Sequence, residues 1–383
     1  MNINIKLQAE SHGFQMFEAL YSYRQSLDNQ QGLQSCYKSD WNIVVNAPYS
    51  DKDLTILFDY MPTELPNLDQ FDLVFFCNGG EPLLAATSLM AELLALDKVY
   101  LIANSYLEPT HPLFAKVVWF PHNVSSCRDF WSQYFYPQHF ENLQRIQRPR
   151  TSDIIMINGT NKSWRHHFCN LLTNSCPSIP KISNINANID KTIDSQWESA
   201  EDQVFRDYVN LLYPCSFTNE FETNYVDNSI AIGIDNKFGQ LLPGYFIMPE
   251  YFDYRCIIFP ESSWLNNELA ITEKSLKCFY AGSLPFPIGG ANINQLYKNL
   301  GFSTAWNLLP EELQLFDSIL DHDLRYQSAV QAIDWLNQNP QVFQTEYSQQ
   351  LINQNKLNML IGNCDLLAVK QLANIILNCY NKA

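Results

Sequence analysis

The chain has 383 residues, with 24 Lys and Arg against 40 Asp and Glu, a net charge of −16. Two domains of ordinary size are expected at that length, and 46% hydrophobic with 17% charged residues is the composition of a folded protein. The acidic balance argues against a nucleic-acid partner, which needs a basic face, and leaves room for a small anionic ligand held by local cations and helix starts.

The opening stretch MNINIKLQAESHGFQMFEAL has no basic start followed by an apolar core, so no secretory signal is expected. Apolar runs such as residues 73–77 are too short to cross a bilayer, so no transmembrane segment is expected either. The ten cysteines form no C-x-x-C pair, which speaks against a zinc ribbon. Their scatter suits a reducing cytoplasm, the expected location.

Along residues 1–150, WNIVVNAP (41–48), FDLVFFCNGG (71–80), KVYLIANS (98–105) and KVVWFPH (116–122) read as buried strands. Each is a short apolar run stopped by Gly, Pro, Asn or Ser. PLLAATSLMAELLALD (82–97) reads as a helix between the second and third, which makes a βαβ unit and a parallel sheet. Such sheets bind ligands at the carboxyl ends of their strands, which puts Asn78–Glu81 at a site-prone edge. QRIQRPRTS (144–152), polar and basic, is the expected linker. Beyond it the spacing predicts strands at 153–160, 254–261 and 284–288. Helices are predicted at 163–174, 195–213, 272–281 and 291–300, with a mainly helical chain after 311. The expected fold is therefore α/β, with two Rossmann-like domains, 1–150 and 151–383, facing a cleft and a helical C-terminal end.

The stretch ITEKSLKCFYAGSLPFPIGG (271–290) carries the sharpest signal. Thr272 is a good N-cap residue, and the following residues offer free backbone N–H groups and the positive end of the helix dipole. Lys274 and Lys277 near that end are unfavourable unless an anion sits there, and a diphosphate would resolve the conflict. The alternative is an ordinary Glu273–Lys277 pair at i,i+4 with Lys274 solvated.

Thr272-Glu273-Lys274, Ala281-Gly282, Pro285-Phe286-Pro287 and Gly301-Phe302, in this order, resemble the donor-binding motif of family 10 α1,3-fucosyltransferases and of related bacterial and phage glycosyltransferases. The resemblance covers roughly residues 153–330 and implies the GT-B arrangement, with the nucleotide sugar on the C-terminal domain. It implies that Glu273 binds ribose and that Lys274 binds phosphate. Arg165 in INGTNKSWRHHFCNLL (157–172) matches an arginine that meets the diphosphate, a surface arginine on a helix being the other reading. Glu261 in FPES matches a strand-end glutamate of the pocket, and Asn158 and Lys277 complete the donor-binding set. FDSILDHDLRY (316–326) is similar to an acidic-Arg segment of these enzymes and receives no chemical role.

The activity implied is transfer of a sugar, with inversion, from a nucleotide-diphosphate sugar, a GDP-sugar favoured over a UDP-sugar, to a glycan or other hydroxyl acceptor. No resident cofactor is expected. No metal is expected either, because the cations and helix start supply the positive field. His166-His167 point about 100° apart on a helix and do not grip one ion easily, and Asp51-Lys52-Asp53 and Asp321-His322-Asp323 have a D-x-D spacing without a convincing strand-end loop. The general base would come from the first domain: Glu81, after Gly79-Gly80, is the candidate and His122 the reserve, with a plain helix-start role as the other reading of Glu81. A two-domain binding protein without catalysis is the rival reading.

Overall fold

The structure, a computed structural model, describes residues 2–7, 40–44, 54–60, 62, 64–78, 88–121, 144–158, 163–183, 247, 250–261, 263–360 and 362–382. The chain divides into two compact units, residues 1–126 with 362–383, and residues 127–361.

In the first unit, strands β1 (Asn2–Leu7), β2 (Asp40–Val44), β3 (Leu54–Tyr60), β4 (Leu73–Asn78), β5 (Val99–Ala103) and β7 (Val117–Trp119) form one sheet in the order β2-β1-β3-β4-β5-β7. A short strand β6 (Ser105–Leu107) follows β5. Only β2 runs antiparallel to its neighbour, pairing Ile3 with Ile43; the rest are parallel. Side chains alternate between the faces, as the two-residue period of a strand requires. Leu57, Val74, Phe76, Leu101 and Val117 pack with Met90, Leu93 and Leu94 of helix α1 (Ser88–Leu94). Ile56, Phe58, Phe75, Ile102 and Val118 face the other way. A sheet covered on both faces needs strands apolar on both sides, which is why these segments read as unbroken hydrophobic runs.

The second unit is built on a parallel sheet in the order β12-β10-β8-β9. Its strands are β8 (Ser152–Asn158), β9 (Lys181–Ser183), β10 (Tyr254–Pro260) and β12 (Leu284–Ile288), with a short strand β11 (Glu268–Ala270) before the last. The helices in chain order are α2 (Ser163–Ser175), α3 (Glu250–Asp253), α4 (Glu273–Ala281), α5 (Ile293–Asn299), α6 (Glu311–Gln314), α7 (His322–Gln338) and α8 (Glu346–Leu360). Ile154, Met156, Cys256, Ile258, Leu284 and Phe286 form one core with Trp164, Phe168 and Leu172 of α2 and Tyr326, Val330 and Ile333 of α7. Strand β12 explains its own prolines. Ile288 offers its carbonyl to the Glu261 N–H, so residues 284, 286 and 288 face β10, while Pro285 and Pro287 turn their missing donors outward. Helix α4 ends on Gly282, left-handed at φ 83°, with the N–H groups of Gly282 and Ser283 both returning to the Cys278 carbonyl.

The chain closes with α9 (Asn363–Lys382). Its Ala368 and Leu372 pack on the Ile56, Phe58 and Phe75 face of the first unit's sheet, and Gln371 accepts the Trp119 backbone N–H at 3.2 Å. The last helix thus belongs to the first unit, whereas the sequence assigned it to the second. The expected linker is also different: Arg150 donates to the carbonyls of Tyr251 (3.0 Å), Tyr254 (2.5 Å) and Ala281 (2.5 Å), which fastens this segment to the second unit. The predicted helix at 195–213 lies outside the described residues.

Candidate functional site

Strand β8 is flanked by β9 on one side and β10 on the other. The chain leaves β8 toward one side of the sheet and returns on the other, so the carboxyl ends of β8 and β10 border a topological switch point, where open α/β sheets bind ligands. Asn158 ends β8 and Glu261 directly follows β10. Across this point Arg165, near the start of α2, donates from Nε and Nη2 to the Glu261 carbonyl at 3.2 and 3.0 Å. The Trp164 indole N–H reaches the same oxygen at 3.4 Å.

The Glu261 carboxylate is fully buried. It accepts from the hydroxyls of Thr272 (2.8 Å) and Tyr297 (3.0 Å), and the single Ser275 hydrogen is shared between this carboxylate (3.4 Å) and the Tyr297 hydroxyl oxygen. Burial pushes this carboxyl above its usual range, Lys274 and Thr272 pull it back, and Glu273 adds to the rise. The sign for stability follows. Folded protein holds the Glu261 proton more tightly than the unfolded chain does, so this contribution is whole below about the ordinary value of 4.5 and is lost as pH rises through the raised native value. The melting temperature of wild type relative to Glu261→Gln is therefore expected to fall as pH rises from acid to neutral; a difference that stays flat or grows would contradict the assignment.

Thr272 takes the N-cap position of α4 with extended backbone, as expected, but its hydroxyl does not cap the helix. It donates to Glu261 and accepts from Lys274 Nζ at 3.2 Å. Lys274 Nζ also lies 3.6 Å from Glu273 Oε1. For Glu273, burial acts upward, yet Lys274, Lys277, its own backbone N–H and Arg165 together hold it below the usual carboxylate range. Lys277 is 8% exposed and Arg165 1%. Lys274, Lys277 and Arg165 thus stand against Glu273 and Glu261, three cations to two carboxyls, which leaves a positive balance at a helix start.

Asn158, Arg165, Glu261, Thr272, Glu273, Lys274 and Lys277 therefore gather at one edge of one sheet. Glu81 and His122 lie outside the described residues, as do Asp51 and Asp53. The second D-x-D pair is committed elsewhere: Asp321 caps α7 through the Leu324 N–H at 2.9 Å, and Asp323 lies 3.1 Å from His167 Nε2.

The segment 316–326, without a role from sequence, supports the edge. Asp317 accepts from the N–H groups of Asn294 (3.1 Å) and Gln295 (2.9 Å) at the start of α5 and from the Asn294 side-chain amide (2.9 Å). Arg325, 2% exposed, donates to the carbonyls of Gly289 (3.1 Å), Ile319 (2.6 Å) and Trp264 (3.4 Å) and to Asn266 Oδ1 (2.8 Å). It also donates to His322 Nδ1 at 2.6 Å, and burial together with this cation pushes His322 down to about 3. The doubled glycine has a packing cause: a Cβ on Gly290 would fall 1.8 Å from the Leu265 carbonyl oxygen. Sequence reasoning missed Ser275 and Tyr297; nothing in the pattern of a buried helix face distinguishes a hydroxyl aimed at a carboxylate from one aimed elsewhere.

No family model matches the chain, and no curated protein matches it in sequence. Among solved structures it is similar to a crystal structure of an α1,3-fucosyltransferase, at 10% identity and a TM-score of 0.38, over 89% of this chain and 79% of that one. It is also similar to an α,α-trehalose-phosphate synthase (UDP-forming) from Burkholderia vietnamiensis, at 10% identity and a TM-score of 0.35, over 94% of this chain and 78% of that one. Among the described residues no helix is long and apolar enough to cross a membrane.

Proposed function

We propose that the chain is a glycosyltransferase that takes a sugar from a nucleotide-diphosphate sugar, a GDP-sugar by preference, and passes it with inversion to an acceptor hydroxyl. The observation that carries this reading is the convergence of Lys274, Lys277 and Arg165 on the start of α4 at the switch point, with Thr272 turned away from capping that helix. The motif resemblance from Thr272 to Phe302 supports it.

In this reading the second unit holds the donor. The first-turn N–H groups of α4 and the Lys274 ammonium face the diphosphate and stabilise its charge as the glycosidic bond breaks. Glu273 accepts from the ribose hydroxyls. The first unit is assigned the acceptor side, and Glu81, with His122 in reserve, is the candidate for the base that takes the acceptor proton. Arg165 contributes through its charge from beneath the site, since its guanidinium is buried on the Glu261 carbonyl.

The test is calorimetric titration with GDP and UDP, followed by hydrolysis of the matching nucleotide sugar without acceptor. Binding with slow hydrolysis is expected; binding without any hydrolysis would favour a carrier of nucleotides instead. Because protein cations supply the positive field, donor binding and turnover are expected to persist in EDTA. Loss of activity in EDTA that manganese restores would contradict this.

A further inference from the structure

Glu261, just past β10, ties four other elements together. Its N–H pairs with Ile288 at the end of β12, its carbonyl holds Trp164 and Arg165 of α2, and its carboxylate takes hydroxyls from Thr272 and Ser275 of α4 and Tyr297 of α5. A carboxylate so enclosed has no surface left for a ligand, and phosphate oxygens would repel it. Nor does stability call for one, since buried charges are often replaced by packed apolar groups without loss. What this carboxylate does do is direct the Thr272 hydroxyl. That hydroxyl spends its hydrogen on Glu261 and offers its oxygen to Lys274 Nζ, and the first-turn N–H groups of α4 are not taken by it.

We propose that Glu261 is a positioning residue that keeps the start of α4 open and Lys274 in place for the diphosphate, an inference that rests on the donor-site reading above. Tyr297 is its lever on the far side. The register of Tyr297 is set by α5, whose start is anchored by Asp317, so the segment 316–326 reaches the donor site through Asp317, α5, Tyr297 and Glu261 in turn.

An amide at this position has one acceptor atom where the carboxylate has two, so it cannot take the Thr272 hydroxyl on one atom and the Ser275 and Tyr297 hydroxyls on the other; whichever way it turns, one side of the network breaks and the Thr272–Lys274 contact loses its support. Removing the Tyr297 hydroxyl would loosen the carboxylate itself. The experiment is calorimetric titration of wild type, Glu261→Gln, Tyr297→Phe, Lys274→Ala and the Glu261→Gln/Lys274→Ala double variant with GDP and UDP, well below each melting temperature. Glu261→Gln and Tyr297→Phe are each expected to weaken binding by about threefold to tenfold, and Glu261→Gln to add less than about twofold once Lys274 is gone, the non-additivity of residues that act as one unit. Should Glu261→Gln fail to fold, Tyr297→Phe alone decides. Unchanged affinity in the folded single variants, or a fully additive loss in the double variant, would overturn the positioning role. If wild type binds neither nucleotide, the donor-site reading fails first.

Discussion

Lys274→Ala is expected to weaken nucleoside-diphosphate binding by about tenfold to a hundredfold with little change in melting temperature. Its ammonium lies at the first turn of α4, 3.2 Å from the Thr272 hydroxyl and 3.6 Å from Glu273. Hydrogen bonds to a charged group contribute roughly 1.5–3 kcal/mol each, and each 1.4 kcal/mol is tenfold in affinity. The Glu273 carboxylate keeps Lys277, Arg165 and its own backbone N–H when Lys274 is removed, so the loss of this pair costs little stability. Arg165→Ala differs. The sequence offers either a phosphate contact or a surface arginine, and the structure buries the guanidinium on the Glu261 carbonyl, so its removal is expected to lower the melting temperature as well as the affinity. A Lys274→Ala protein that binds GDP and UDP as wild type does would remove the phosphate role of this lysine.

Arg325→Ala is expected to cost about 3–5 kcal/mol of stability. The guanidinium satisfies the carbonyls of Gly289, Ile319 and Trp264, the Asn266 side chain and His322. Each buried polar group left without a partner costs roughly 1–3 kcal/mol, and the cavity adds to that. Burial depresses the guanidinium pKa, against the favourable charges of Asp317 and Asp321. The consequence is local as well as global, because the Trp264 and Gly289 carbonyls belong to the chain leaving β10 and β12. Denaturant unfolding measures it, and a loss below about 1 kcal/mol would show that water replaces the arginine.

The strands read most plainly from sequence are those apolar on both faces. VFFC in β4, VYLI in β5, IIMI in β8 and CIIF in β10 are unbroken apolar runs because parallel sheets covered on both sides demand it. β1 escaped notice because NINIKL alternates, a weaker signal than a continuous run. β3 is a central strand whose run is interrupted by Thr55 and Asp59. The placement of α9 was beyond reach for a different reason. An amphipathic stripe says that a helix must dock, not on which sheet, and only the contacts of Ala368 and Leu372 decide it. Thr272, Glu273 and Lys274 could be singled out in the sequence because a capping residue followed by cations at the positive end of a helix is a local contradiction that a bound anion would resolve. The burial of Arg165 and the hydroxyls of Ser275 and Tyr297 on Glu261 depend on elements far apart in sequence.

The central claim is that the start of α4 is built for a diphosphate. Calorimetric titration of the wild-type chain with GDP, GMP and guanosine tests it most directly. Affinity is expected to fall at each phosphate removed, with the largest loss on going from diphosphate to monophosphate, and that step is expected to shrink in Lys274→Ala. Equal affinity for GDP and guanosine, or a phosphate dependence that Lys274→Ala leaves intact, would contradict it.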